Sequence, residues 1–281
     1  MAQKSDFIFG QSEYQKIYDF AKSVSDNYLN EKERLSNIFT CIDNTTLRGT
    51  NSPLSVEKFC LHSAALKLPI QGNNTVAAVC VYPNFVSLAK KTLGNHTLKV
   101  ASVAGGFPSG QLPSSLKFDE VRYAIDEGAD EIDIVINRGL FLQGERQEVF
   151  DEIAHSKEIC GDKTLKVIIE SCELETPELI YDASFLALSA GADFIKTSTG
   201  KGAAGATPVA AFSMLSALRD FCKKYKKNAG FKAAGGISSL PEALIYYCLA
   251  EKILQTENIS NQIFRIGASR LTDELFNFLT V

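Results

Sequence analysis

A chain of 281 residues, 45% hydrophobic and 22% charged, has the composition of one globular domain able to bury a core without disulfides or bound metal. A net charge of −4 leaves no broad basic face for nucleic acid. The apolar runs fall short of the ~18 residues a membrane span needs, and the opening MAQKSDFIFGQ lacks an apolar signal core, so a cytoplasmic protein is expected.

Residues 1–35 read as an N-terminal helical extension, with Tyr14, Ile17, Tyr18, Ala21 and Val24 at helical spacing. That helix is expected to cap the bottom of the fold or to join a subunit contact, with a homodimer left open. From residue 36 to 281, eight strand-like apolar runs alternate with helix-like stretches. The runs are Ile38 to Asp43, Val76 to Tyr82, Leu98 to Ala104, Glu131 to Asn137, Leu165 to Ser171, Phe194 to Ser198, Gly230 to Ala234 and Phe264 to Ala268. Ser52-Pro53, Thr176-Pro177-Glu178 and Thr207-Pro208 each offer an N-cap followed by proline, and Gly191 stands where a glycine ends a helix. The basic run Lys223-Lys224-Tyr225-Lys226-Lys227 reads as a solvated helix end. Eight strand–helix units predict an α/β fold, a single (β/α)8 TIM barrel.

Seven cysteines lie scattered, mostly inside apolar runs and without a Cys-x-x-Cys pair, as expected of free thiols in a reducing compartment. His62, His96 and His155 show no ligand spacing, so no metal is expected.

Strand alternation then sets polar residues where a barrel is ordinarily aliphatic. Ile132, Ile134 and Ile136 share one face and Glu131, Asp133, Val135 and Asn137 the other; Leu165, Val167 and Ile169 oppose Lys166, Ile168 and Glu170. If the greasy faces meet the outer helices, Asp133 and Lys166 point inward on neighbouring strands. They form either a structural ion pair or a catalytic one. Lys196 in FIKTS and Lys232 in GFKAAGG lie on adjacent strands. Two buried lysines repel as cations, which favours a neutral amine and hence a nucleophile. Gly200, Gly202 and Gly205 spell G-x-G-x-x-G, but the acid at the dinucleotide spacing, Asp220, sits in a helical stretch, which argues against NAD. Gly235-Gly236 and Gly267-Ala268-Ser269 fit the usual barrel phosphate position, or serve only as turns.

The stretches CIDNTTL (41–47), VAAVCVYPNFV (76–86), VASVAGGFPSG (100–110), GADEIDIVINRG (128–139), LKVIIESCEL (165–174), GADFIKTSTGKGAAGATP (191–208), FKAAGGISS (231–239) and FRIGAS (264–269) together resemble the deoxyribose-phosphate aldolases of the DeoC family. The resemblance runs in order from about residue 40 to 270. It implies a class I aldolase that needs no cofactor and takes a small phosphosugar, cleaving it through a lysine Schiff base. Lys196 would be that lysine, Lys232 the second lysine that tunes it, and Asp133 and Lys166 a proton relay. Asp43 and Thr45 would hold the substrate end of the site, with Cys80 lining it. Thr199, Gly200, Lys201, Gly235, Gly236 and Ser269 would lie around the phosphate. Two departures stand out: Arg270 follows Ser269 where many members have a small residue, and no tyrosine follows Tyr247 to serve as a closing tail. Two rivals remain open: another Schiff-base aldolase with a different sugar phosphate, and a sugar-phosphate-binding protein without activity.

Overall fold

Eight short parallel strands pair in sequence order and the last returns to the first, closing the sheet into a barrel. A computed structural model of the chain describes residues 6–70, 72 and 74–281. Two helices come first, α1 (Gln11–Asp26) and α2 (Lys32–Thr40). The barrel then runs β1 (Ile42–Thr45), α3 (Pro53–Ala65), β2 (Ala78–Val81), α4 (Val86–Leu93), β3 (Lys99–Ala104), α5 (Ser114–Asp126) and β4 (Glu131–Val135). It continues with α6 (Arg138–Gln143), α7 (Arg146–Cys160), β5 (Thr164–Ile168), α8 (Pro177–Ser189), β6 (Phe194–Lys196), α9 (Pro208–Tyr225), β7 (Gly230–Ala234), α10 (Leu240–Leu254), β8 (Phe264–Ala268) and α11 (Arg270–Thr280). All eight expected strands are present, and the (β/α)8 class holds.

The helix starts follow their caps. The side chains of Ser52, Thr176 and Thr207 accept from the amides of Ser55, Leu179 and Ala210, each with proline in the first turn. Such caps are worth about 1 kcal/mol each. Gly191 follows α8 with φ 106, the left-handed geometry a helix end needs. Lys223 and Lys224 occupy the last turn of α9, as the basic run suggests.

Two expectations are corrected. Ile38–Thr40 belong to α2, not to β1: Leu35, Ile38 and Phe39 are all fully buried, at the i, i+3, i+4 spacing of a helix face. Helix α1 does not cap the barrel's bottom. It lies along the outer wall against α9 and α10, with Tyr14 edge-on to Phe212 and the Ser25 hydroxyl donating to the Pro241 carbonyl at 2.9 Å.

The greasy faces of β4 and β5 join the layer between barrel and helices, where Ile132, Ile134, Leu165, Val167 and Ile169 share one core. Inside the barrel the filling is divided. Ala78, Cys80, Ala101 and Val103 form a small apolar cluster on the β2–β3 side. The other strands turn charged residues inward. Among the described residues, no helix is long and apolar enough to cross a membrane.

Candidate active site

The register of the sheet puts charge beside charge: Asp133 is level with Lys166, Lys196 with Lys232, and Lys232 with Arg265. Seven ionisable side chains fill this half of the barrel, none more than 4% exposed: Asp43, Glu131, Asp133, Lys166, Lys196, Lys232 and Arg265. Asp133 is the hub. Its Oδ2 lies 2.8 Å from Lys196 Nζ and 2.9 Å from Lys232 Nζ, and its Oδ1 lies 2.9 Å from Lys166 Nζ. Asp43 accepts from Lys232 and from Arg265, each at 2.5 Å. Glu131 is 2.5 Å from Lys166 and accepts from Arg265 Nη2 at 2.9 Å.

Four basic groups therefore share three carboxylates. With every base protonated the cluster would carry one uncompensated buried charge, a cost of several kcal/mol. The proton most cheaply lost is on Lys196. Burial lowers its ammonium first; Asp133 opposes, and Lys232 lowers it further, so the net direction is down. Lys166 and Lys232 go the other way. Burial would lower each, but Asp133 with Glu131 for Lys166, and Asp133 with Asp43 for Lys232, outweigh it and hold both as cations. Burial would raise the Asp133 carboxyl, yet Lys166, Lys196 and Lys232 hold it well below the usual carboxylate range.

Lys196 is also the member of the cluster that lines a cleft. It sits in the wall of a cleft of about 720 Å³ at the C-terminal ends of the strands. Thr45, Thr199, Gly200, Lys201, Gly235, Gly236 and Ser269 line the same cleft, as does Arg270. The structure thus brings the expected phosphate-side residues together above Lys196. Two residues fall elsewhere. Asp43 does not reach the cleft; it is fully buried, and Lys232 and Arg265 occupy its oxygens. Cys80 does not line the cleft either. It lies fully buried in the apolar cluster, where burial pushes its thiol up to about 11.

Backbone contacts fix the rim. A Cβ on Gly205 would fall 2.0 Å from the Gly235 carbonyl oxygen, so only glycine lets the loops after β6 and β7 touch. The Ala206 amide seals that contact, donating to Ala234 and Gly235 at 3.1 Å. These glycines therefore serve loop packing, and Asp220, the acid at dinucleotide spacing, lies in α9 and accepts from the Tyr181 hydroxyl at 3.0 Å. The C-terminal helix α11 lines the cleft with its first turn, Arg270 and Asp273, while its far end turns away, where Phe276 and Phe278 pack near Phe39 and Tyr28.

Sequence reasoning missed Arg265, and it set Glu131 on the inward face of β4 without giving it a part in the site. Arg265 alternates on β8 with Phe264 and Ile266, which is the signal of an inward charge. Its partner Glu131 is four strands away, and no local pattern links the two.

Comparison with known proteins agrees with this geometry. The pattern of the DeoC/LacD family aldolases matches residues 48–246. The human deoxyribose-phosphate aldolase is 42% identical over 247 residues, covering 84% of this chain and 77% of that protein. The deoxyribose-phosphate aldolase of Agrobacterium fabrum is 40% identical over 250 residues, covering 88% and 92%. In fold, the chain is similar to the deoxyribose phosphate aldolase structure from Aeropyrum pernix, with a TM-score of 0.70 at 22% identity, covering 91% of this chain and 97% of that one. With a barrel whose inner charges converge on one cleft-facing lysine, the chain belongs to the DeoC/LacD family of aldolases.

Proposed function

We propose that the chain catalyses the reversible cleavage of 2-deoxy-D-ribose 5-phosphate to D-glyceraldehyde 3-phosphate and acetaldehyde, through a Schiff base on Lys196. The observation that carries this is the buried cluster with one base in excess, in which Lys196, the lysine whose ammonium is lowered, lines the cleft. The substrate follows from the names of the relatives at 42% and 40% identity.

The lone pair on Lys196 Nζ adds to the C1 aldehyde, and loss of water leaves an iminium. A base takes the C3 hydroxyl proton, C3 becomes a carbonyl, and the C2–C3 electron pair moves into the iminium to give an enamine. Glyceraldehyde 3-phosphate departs. The enamine takes a proton at C2, water adds at C1, and acetaldehyde leaves with the amine restored. Asp133, 2.8 Å from Lys196 Nζ, is the carboxylate placed to move protons at that nitrogen, with Lys166 on its other oxygen. Held well below the ordinary carboxylate range, Asp133 passes a proton on rather than keeping it.

The phosphate lies against the rim. The Thr199 amide is bound to Glu170 and the Lys201 amide to the Thr199 hydroxyl; among the described residues this leaves the Gly200 amide of that turn to meet an anion, together with the Lys201 ammonium, which also donates to the Leu47 carbonyl. Gly235, Gly236 and Ser269 supply the facing wall. A reducing, cytoplasmic setting is supported by free thiols at Cys41, Cys60, Cys80, Cys160 and Cys248, all buried.

The test is turnover. The wild type should release both aldehydes from deoxyribose 5-phosphate, and Lys196→Met should release neither while keeping its fold by circular dichroism. Undiminished release from Lys196→Met would refute the reading.

A further inference from the structure

Glu170 takes no part in the steps above, yet its carboxylate is buried and hydrogen-bonded. Strand β5 ends at Ile168, two residues short of the alternation in the sequence, and Glu170 adopts a left-handed backbone, φ 50 and ψ 64. Outside Gly, Asn and Asp that conformation is uncommon, and at functional sites it persists where surrounding contacts impose it. Its side chain is 1% exposed. Among the described residues it forms no ion pair, unlike the carboxylates of the barrel interior.

Beside a 3.8 Å contact in which the Cys172 thiol donates to Oε1, its oxygens serve one turn. Oε2 accepts from the Thr199 amide at 3.1 Å and the Thr199 hydroxyl at 2.5 Å, and Oε1 lies 3.3 Å from the same amide. Thr199 Oγ1 then accepts from the Lys201 amide at 3.1 Å. A Cβ added on Gly202 would meet the Glu170 carboxyl carbon and Cys172 Sγ at ordinary contact distance, 3.7 Å, so the loop passes close to this carboxylate. Beyond the turn, the Lys201 ammonium reaches across the cleft and donates to the Leu47 carbonyl after β1. The loop between Lys196 and α9 is thus tied from beneath by one buried anion.

We propose that Glu170 is a positioning residue that clamps the Thr199–Lys201 turn and so sets the Lys201 ammonium over the cleft, selecting phosphorylated over unphosphorylated sugars. The proposal rests on the substrate reading above. By occupying the Thr199 amide and hydroxyl, Glu170 directs anion recognition to the Gly200 amide and the Lys201 side chain. Without the clamp the ammonium remains in the chain but loses its fixed distance from Lys196, which costs affinity for the phosphate end more than it costs chemistry at C1.

Two variants separate the clamp from the backbone: Glu170→Gln keeps the size, and Glu170→Gly accepts the positive φ without strain. The measurement is kcat/KM for deoxyribose 5-phosphate over that for deoxyribose, in both variants, in Lys201→Met, and in each double variant. The ratio should fall about tenfold in each single variant, mainly through KM for the phosphate ester, and the doubles should fall no further than Lys201→Met alone. Trypsin should also cut after Lys201 faster in both Glu170 variants than in the wild type. Equal losses on both sugars, or effects that add fully to Lys201→Met, would overturn the clamp. Wild-type protein that forms no borohydride-reduced adduct on Lys196 with deoxyribose 5-phosphate would overturn the substrate reading and the clamp with it. An adduct in the wild type together with equal losses would overturn the clamp alone.

Discussion

In the proposed mechanism Lys196 owes its chemistry to an imbalance of charge, not to its own surroundings alone. A free lysine titrates near 10.4, so at neutral pH only about one in 10³ is the amine. In the barrel, protonating Lys196 would add a fourth cation to three carboxylates, and burial lowers its ammonium even against Asp133. Lys232→Met tests this directly. It leaves three bases for three carboxylates, so a protonated Lys196 becomes the balanced state. The acid limb of the pH–rate profile should move up by about a unit or more, while Schiff-base formation persists at high pH because the nucleophile is retained. An acid limb that stays in place would show that Lys232 acts only through packing against Asp43.

The rim of the barrel is built by elements that touch through backbone. The loop between β6 and α9 meets the turn after β7 where Gly205 faces Gly235, with no room for a Cβ. Gly205→Ala must push the two loops apart. It should lower the thermal midpoint, with a stability loss of about 1–3 kcal/mol, and raise KM for deoxyribose 5-phosphate; an unchanged midpoint and KM would show that the loops move freely. The sequence makes this loop conspicuous through three glycines, but it does not say whether they bind a ligand or pack against backbone, because Gly235 is thirty residues along the chain. The alternation of β4 and β5 did reveal Asp133 and Lys166 as inward residues, since a period of two is a local signal. It misplaced Glu170, which alternation sets on a strand and the structure sets in a left-handed turn. It misread Ile38–Thr40, where a short apolar run suits strand and helix alike and only burial beside Leu35 decides. The resemblance sets Asp43 and Cys80 at the cleft, yet Asp43 is fully buried in ion pairs with Lys232 and Arg265, and Cys80 is fully buried in the apolar cluster of β2 and β3.

A barrel with charges at its centre ties its stability to pH. Burial would raise the Asp43 and Asp133 carboxyls, but Lys232, Arg265 and Lys166 around Asp43, and three lysines around Asp133, hold both below the ordinary range. A carboxyl lowered in the folded chain stabilises it fully above the unfolded value, near 3.9, and this contribution is lost as pH falls toward the folded value. The urea midpoint should therefore drop steeply below about pH 4, and a flat midpoint between neutral pH and pH 3 would show that the cluster contributes nothing to folding. In the proposed mechanism the same cluster supplies the reactive amine, so fold and activity share one set of charges. The most direct measurement is peptide mapping after the wild type is reduced with borohydride in the presence of acetaldehyde. The account predicts one added ethyl group, carried by the peptide containing Lys196 and lost in Lys196→Met; an adduct on Lys166, Lys201 or Lys232, or none on a folded and active protein, would contradict it.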